Sequence, residues 1–310
     1  MARWDALSTE GSNPSSEALD TLTTEEVVSL LLEEDEHGLA MARRSQEGIA
    51  RAASWVAETL EAGGTVVFAG AGTSGRLGIL EAAECPPTFG TDPEQIRAVI
   101  AGGHEAVFEA REGAEDVFSD GAGAVEELGA GDVLIAVSAS SVTPYVLGAL
   151  ESARTNGART ILITCAPPGE VPAVADLVVA LDTGPEVLTG STRLKAASAT
   201  KAVLNAVTTA AMVRLGKVYG NLMVDLRPGS AKLRDRALRI VEAAGAVSRE
   251  KAERLYEIAD GEVKTAIVMA LCELGVEPSR EKLRAAGGHV RRALAGRSPA
   301  EKGGSNRSDR

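Results

Sequence analysis

The chain has 310 residues, room for one large domain or for a domain of about 200 residues with a smaller companion. Its 44 acidic residues outnumber 32 basic ones, and the net charge of -12 repels nucleic-acid backbones and anionic membranes; aromatics at 3% offer no stacking platform for single strands. The N-terminus lacks the apolar core of a signal peptide and no run approaches the roughly 20 apolar residues of a membrane span, so a cytoplasmic protein is expected.

Residues 23–64, "TTEEVVSLLLEEDEHGLAMARRSQEGIARAASWVAETLEAGG", carry apolar residues at three-to-four spacing and end in Gly63-Gly64. Two helices are predicted, the first capped by Thr23 or Thr24 with Glu26 behind it. The period then changes. "TVVFAG" (65–70), "IRAVIAG" (96–102), "DVLIAVS" (132–138), "TILITC" (160–165) and "ADLVVAL" (175–181) read as strands. Helical patterns at 75–83, 114–128 and 144–155 separate most of them, with an irregular "CPPTFG" loop after the first. Apolar strands alternating with helices predict an α/β fold, a three-layer parallel sheet flanked by helices. "STRLKAASATKAVLNAVTTAAMVRLG" reads as one long helix, too apolar to lie on a surface by itself. Beyond Pro228-Gly229 three or four short helices form a small bundle, and both "SREK" segments place Ser at an N-cap position. The expected organisation is an N-terminal helical arm (1–45), the α/β domain (46–227), the bundle (228–296) and a disordered tail (297–310).

Cys85, Cys165 and Cys272 form no C-x-x-C, which suits a reducing compartment, and His37, His104 and His289 have no metal-ligand spacing. Neither a metal nor another cofactor is expected. The chemistry concentrates in two loops. "FAGAGTSGRLG" (68–78) contains G-x-G-x-x-G at Gly70, Gly72 and Gly75 and leads from a strand into a helix, where backbone N–H groups favour an anion. A dinucleotide site needs an acidic residue about 20 residues on; Glu105 lies roughly 30 beyond Gly75. A P-loop is excluded because no Gly-Lys-Ser/Thr follows. The third strand runs into Ser138, Ser140, Ser141 and Thr143, with Pro144 opening a second helix. With Thr73 and Ser74 these hydroxyls describe a pocket of neutral donors at the carboxyl ends of a parallel sheet. Such a pocket suits a phosphomonoester held as a handle, since phosphoryl transfer would require metal ligands and cations.

This loop pair resembles the sugar isomerase (SIS) domain. More narrowly, "TEGSN" (9–13), "GAGTSGRLGILEAAECPPTFG" (70–90), "IAGG" (100–103), "EGAED" (112–116), "LTGSTRLKAASATK" (188–201) and "GKVYGNLMVDL" (216–226) resemble the N-acetylmuramic acid 6-phosphate etherases. The resemblance implies cleavage of the D-lactyl ether of that sugar, to N-acetylglucosamine 6-phosphate and D-lactate, in a homodimer without cofactor. It implies Glu84 as proton donor and Glu115 as a second acid–base group. The sugar phosphate would be held by Thr73, Ser74, Ser138, Ser140, Thr143, Ser191 and Lys195. A protonated donor near neutral pH calls for burial or a neighbouring carboxylate, and Glu81, one helical turn before Glu84, could supply one. Two other readings stay open: another SIS-fold isomerase or lyase, and a non-enzymatic sugar-phosphate sensor like the glucokinase regulatory protein. The chain departs from the family at "ASSVTPYV", where Ser141 and Val142 replace Gly and Arg, and at His104, after "IAGG". Loss of the Arg predicts weaker binding of the sugar phosphate or a variant sugar.

Overall fold

The computed structural model describes residues 7–226 and 229–295, which fall into two compact units: Met1–Pro86 with Thr91–Arg214, and Pro87–Gly90 with Leu215–Arg310. The tail expected from residue 297 lies outside the described residues.

The first unit is built on five parallel strands, β1 (Val66–Gly70), β2 (Ile96–Ile100), β3 (Val133–Val137), β4 (Arg159–Thr164) and β5 (Leu177–Ala180), in the order β2-β1-β3-β4-β5. β1 and β3 are buried along their whole length, and β4 along all but its first residue, which is why their sequences read as unbroken apolar runs. On one face Val67, Ala69, Leu134, Ala136 and Leu162 pack with Tyr145, Val146, Ala149 and Leu150 of α5 (Pro144–Thr155). On the other, Phe68 meets α3 (Gly72–Phe89) at Gly78, and Val179 meets α2 (Gln46–Glu61) at Gly48. α1 (Thr24–Arg44) and α2 both pack on α6 (Lys195–Arg214), whose Ala196, Ala199, Val203, Leu204, Val207 and Met212 are buried between them. α1 begins with a full capping box: Thr23 accepts from the Glu26 backbone, and Glu26 reaches back to the Thr23 N–H.

Several sequence-based boundaries move. "CPPTF" is helical rather than irregular, because α3 continues through Pro86 and Pro87 to Phe89. The two prolines fall in its last two turns, where they cost Ala82 and Ala83 their N–H partners, and Gly90 then ends the helix at φ 63°. The helix expected over 114–128 shrinks to α4 (Phe118–Gly123), since Gly121 and Gly123 weaken it from within. α6 begins at Lys195, after a turn over 192–194.

Among the described residues the second unit holds a two-strand hairpin (β6, Val218–Tyr219; β7, Leu222–Met223) and five helices instead of three or four: α7 (Ala231–Gly245), α8 (Arg249–Ile258), α9 (Val263–Cys272), α10 (Val276–Ala285) and α11 (Val290–Ala293). Ala266, Ile267 and Val268 of α9 form its centre, with Val241, Tyr256 and Leu283 around them. Ser248 caps α8 as its sequence predicts, accepting from the Lys251 N–H. Ser279 does not cap α10. That helix starts at Val276 because Pro278 is tolerated in a first turn, which leaves Ser279 inside the helix with a buried, unpartnered hydroxyl. Among the described residues no helix is long and apolar enough to cross a membrane.

Candidate active site

The strand order reverses between β1 and β3, so the loops leaving their carboxyl ends must open side by side. Register makes this concrete: Gly70 at the end of β1 pairs with Ile100 of β2 and with Val137 of β3. The first loop turns at Gly72, whose φ of 52° suits a residue without Cβ. Gly75 serves close approach instead. A Cβ there would sit 2.5 Å from the Ile100 side chain and 2.7 Å from the Gly70 carbonyl, so only glycine lets α3 start this near the sheet. The second loop turns at Ser141, with φ 65°, and its hydroxyl is buried without a partner. Serine therefore sits in the conformation where the family resemblance places glycine. Relief of that backbone strain, roughly 1 kcal/mol, and removal of an orphan hydroxyl together exceed the extra entropy glycine gives the unfolded chain. Ser141→Gly is thus expected to stabilise the protein by about 1 kcal/mol in denaturant unfolding; a lowered midpoint would show that the turn needs the hydroxyl.

Between these loops lies a cavity of about 410 Å³. Thr73 and Ser74 from the first turn of α3 line it, as do Ser140 and Thr143 before α5. Thr143 occupies the N-cap position of α5, but its hydroxyl bonds Ser138 Oγ at 2.8 Å and caps nothing. Ser138 is accordingly buried behind the wall, supporting Thr143 rather than lining the cavity. α3 and α5 thus both present helix N-termini here, with orphan N–H groups and positive dipole ends, and α5 has no side-chain cap. Hydroxyls and amides can hold a phosphate in this corner. Glu115 lines the same cavity.

Not every residue singled out by sequence reaches this cavity. Ser191 stands just outside, between Gly190 and Thr192, which do line it. Lys195 is buried in an ion pair with Glu34, a carboxylate that also accepts from Asn13 Nδ2 at 3.0 Å. Glu84 is exposed on α3, ten residues beyond Ser74 and about 15 Å along the helix axis. The Glu81 expected beside it is the buried one. Burial pushes its carboxyl above the ordinary range, with Glu84's charge adding to the rise, while the Thr208 hydroxyl at 2.5 Å and Lys201 pull back. With its amide oriented to satisfy both neighbours, Asn205 donates to Glu81 at 2.6 Å and accepts from Lys201 at 2.8 Å. Cys85 is no nucleophile, since burial pushes its thiol up to about 12.

Four cavity residues escaped sequence reasoning: Thr9, Glu10, Asp116 and Thr192. "TEGSN" and "EGAED" flagged three of them as matched stretches, but no periodicity signals that a three-residue 3-10 turn, Ser8–Glu10, folds over a sheet end. Arg76 is the fifth. Its Nε donates to the Val107 carbonyl at 2.9 Å and its Nη2 to those of Ala106 and Glu109, tying α3 to the loop that leads to Glu115. A larger cavity, about 850 Å³, lies in the second unit, and four of the charged groups lining it are committed to one another: Lys264 to Asp225 and Arg280 to Glu262.

A parallel sheet whose switch-point loops join hydroxyls to two helix N-termini defines a class. Residues 48–154 match the glucokinase regulatory protein N-terminal SIS domain and residues 108–210 the SIS domain, so this is a SIS-domain protein. An N-acetylmuramic acid 6-phosphate etherase of Geobacillus thermodenitrificans is 47% identical over 93% of this chain and 98% of its own. Those of Salinibacter ruber (46%; 94% of each chain) and Rubrobacter xylanophilus (47%; 96% of this chain, 99% of its own) match to the same degree. The chain belongs to the N-acetylmuramic acid 6-phosphate etherase family.

Proposed function

We infer that this protein cleaves the D-lactyl ether of N-acetylmuramic acid 6-phosphate, releasing D-lactate and leaving N-acetylglucosamine 6-phosphate. The observation that carries the reading is identity of 47% over nearly the full length of both this chain and an etherase relative. The cavity is compatible with it: hydroxyls and helix N-termini for a non-reacting phosphate, and a carboxylate, Glu115, in the same lining.

An unactivated ether is hard to break, but opening the sugar ring exposes an aldehyde and acidifies the proton on carbon 2. A carboxylate takes that proton, electrons move toward the carbonyl, and the carbon 3–oxygen bond breaks as a carboxylic acid protonates the departing lactyl oxygen. Water then adds at carbon 3, giving its proton to the former acid, while the former base returns a proton to carbon 2. Two carboxyl groups thus exchange roles and end as they began. Glu115 and Glu84 are the proposed pair. Glu84 is exposed on α3 about 15 Å along the helix axis from Ser74 and does not line the cavity of its own chain, whereas a proton transfer needs its carboxyl within about 3 Å of carbon 2 or the ether oxygen. Glu84 therefore serves the cavity of a second copy, and the homodimer is part of the active site. We place the enzyme in the cytoplasm, with a sugar phosphate as its partner.

The test is incubation with N-acetylmuramic acid 6-phosphate in heavy-oxygen water. D-lactate should appear, with label at the carbon-3 hydroxyl of the sugar. Label in lactate would mean displacement at the lactyl carbon and would overturn the elimination; absence of lactate from folded protein would overturn the function.

A further inference from the structure

The substrate of this reading carries two anions, a phosphate on carbon 6 and the carboxylate of the lactyl group on carbon 3. Among the described residues the main cavity has no Lys or Arg in its wall, while Glu10, Glu115 and Asp116 all line it. Hydroxyls and helix ends can serve the phosphate, but nothing there suits a second anion. A side recess of about 220 Å³ adjoins this cavity, sharing Ala71, Gly72 and Glu115 with it. The recess differs in chemistry. Arg76 and Arg111 enter its wall beside the carboxylates of Glu112 and Glu115, and Ala101, Ala106 and Ala110 supply small apolar surface.

Arg76 is built for a fixed contact. Its Nε and Nη2 are anchored on three carbonyls, and Nη1 has no partner among the described residues. Two N–H donors are therefore free, on a guanidinium whose orientation is already set. Arg111 is more mobile in character: its side chain is 43% exposed and it pairs with Glu105, itself largely exposed. A short hydroxy acid matches this recess, its methyl against the alanines and its carboxylate on the guanidinium. Glu115 stands where recess and cavity meet, which is where the ether oxygen would lie with the sugar in the cavity and its side arm in the recess.

We propose that the recess between the start of α3 and the Ala106–Ala114 loop is the subsite for the lactyl group, with Arg76 binding its carboxylate and Arg111 assisting at the rim. The proposal rests on the etherase reading and deepens it. Position then selects the ether: only a sugar whose carbon-3 substituent ends in an acid draws its bridging oxygen up to Glu115.

The experiment compares two ligands by calorimetry in the Glu84→Gln protein, which turns over slowly and is unaltered at the recess: N-acetylmuramic acid 6-phosphate and the lactyl-free N-acetylglucosamine 6-phosphate. The lactyl-bearing sugar should bind more tightly. Arg76→Lys should reduce that advantage by about tenfold, and Arg111→Gln should shift it the same way by less. Because the readout is a ratio, general damage to the loop cancels. An unchanged ratio in both variants, equal weakening of the two sugars, or equal affinities before any arginine is changed would overturn the proposal. D-lactate release by the unmodified protein tests the underlying reading separately.

Discussion

Glu84→Gln and Glu115→Gln should each lower kcat/KM for N-acetylmuramic acid 6-phosphate by about 10²- to 10⁴-fold, the range that general acid–base catalysis contributes. Neither side chain makes a hydrogen bond or ion pair among the described residues, so the amides should fold normally and the loss should be one of chemistry. The sharper result comes from mixing. If each site takes Glu115 from one chain and Glu84 from the other, a hybrid of the two variants contains one site with both carboxylates and one with neither.

Equal amounts of the two chains, dissociated and reassembled, make about half of all dimers hybrids, so about a quarter of wild-type activity should return. The mixture would then be far more active than either component. No recovery, with hybrids demonstrated by mass, would mean that both carboxylates act from one chain or that Glu84 does not act. Helix geometry argues for recovery, because α3 is continuous from Gly72 to Phe89 and keeps its two ends apart.

That continuity shows what the sequence could and could not carry. β1, β3 and β4 were legible because they are buried on both faces and so read as apolar runs, while β2 and β5 are only partly buried but remain short β-branched runs; α5 was legible because Pro144 marks its first residue. "CPPTFG" misled because proline is read as a breaker, whereas two prolines near a helix end cost only carbonyl partners. At the site, Thr73, Ser74, Ser140 and Thr143 were legible since strand-to-loop-to-helix transitions announce themselves locally. Glu10 and Arg76 were not. One is brought to the cavity by a three-residue turn and the other works through carbonyls more than 29 residues away, and neither distance leaves a period in the sequence. Lys195 was legible as a conspicuous cation in a matched motif, but composition says nothing of which anion it meets.

Lys195 leads to the second large effect. Its Nζ pairs with Glu34 of α1, and the two side chains are 4% and 18% exposed. The same Glu34 carboxylate accepts from Asn13, whose amide also donates to the Pro185 carbonyl at 3.2 Å. Beside it Glu186 accepts from the Lys195 and Ala196 N–H groups, capping α6 from the segment that leads into it, and burial raises its carboxyl above the usual range. The pair thus joins the N-terminal segment, α1 and the start of α6. Lys195→Met keeps the stem but strands a mostly buried carboxylate, which costs about 3–5 kcal/mol when one partner of such a pair is removed. Urea unfolding followed by Trp55, which sits between Arg51 and Arg159, should show that loss in the first unit. Adding Glu34→Gln should recover much of it, because a neutral amide no longer requires the ammonium and can still accept from Asn13. If Lys195 instead contacts substrate, the two variants would separate differently: stability would change little, affinity for N-acetylglucosamine 6-phosphate would fall, and Glu34→Gln would not restore it. The buried ion pair predicts the first outcome, with sugar-phosphate affinity of the folded double variant within about twofold of wild type.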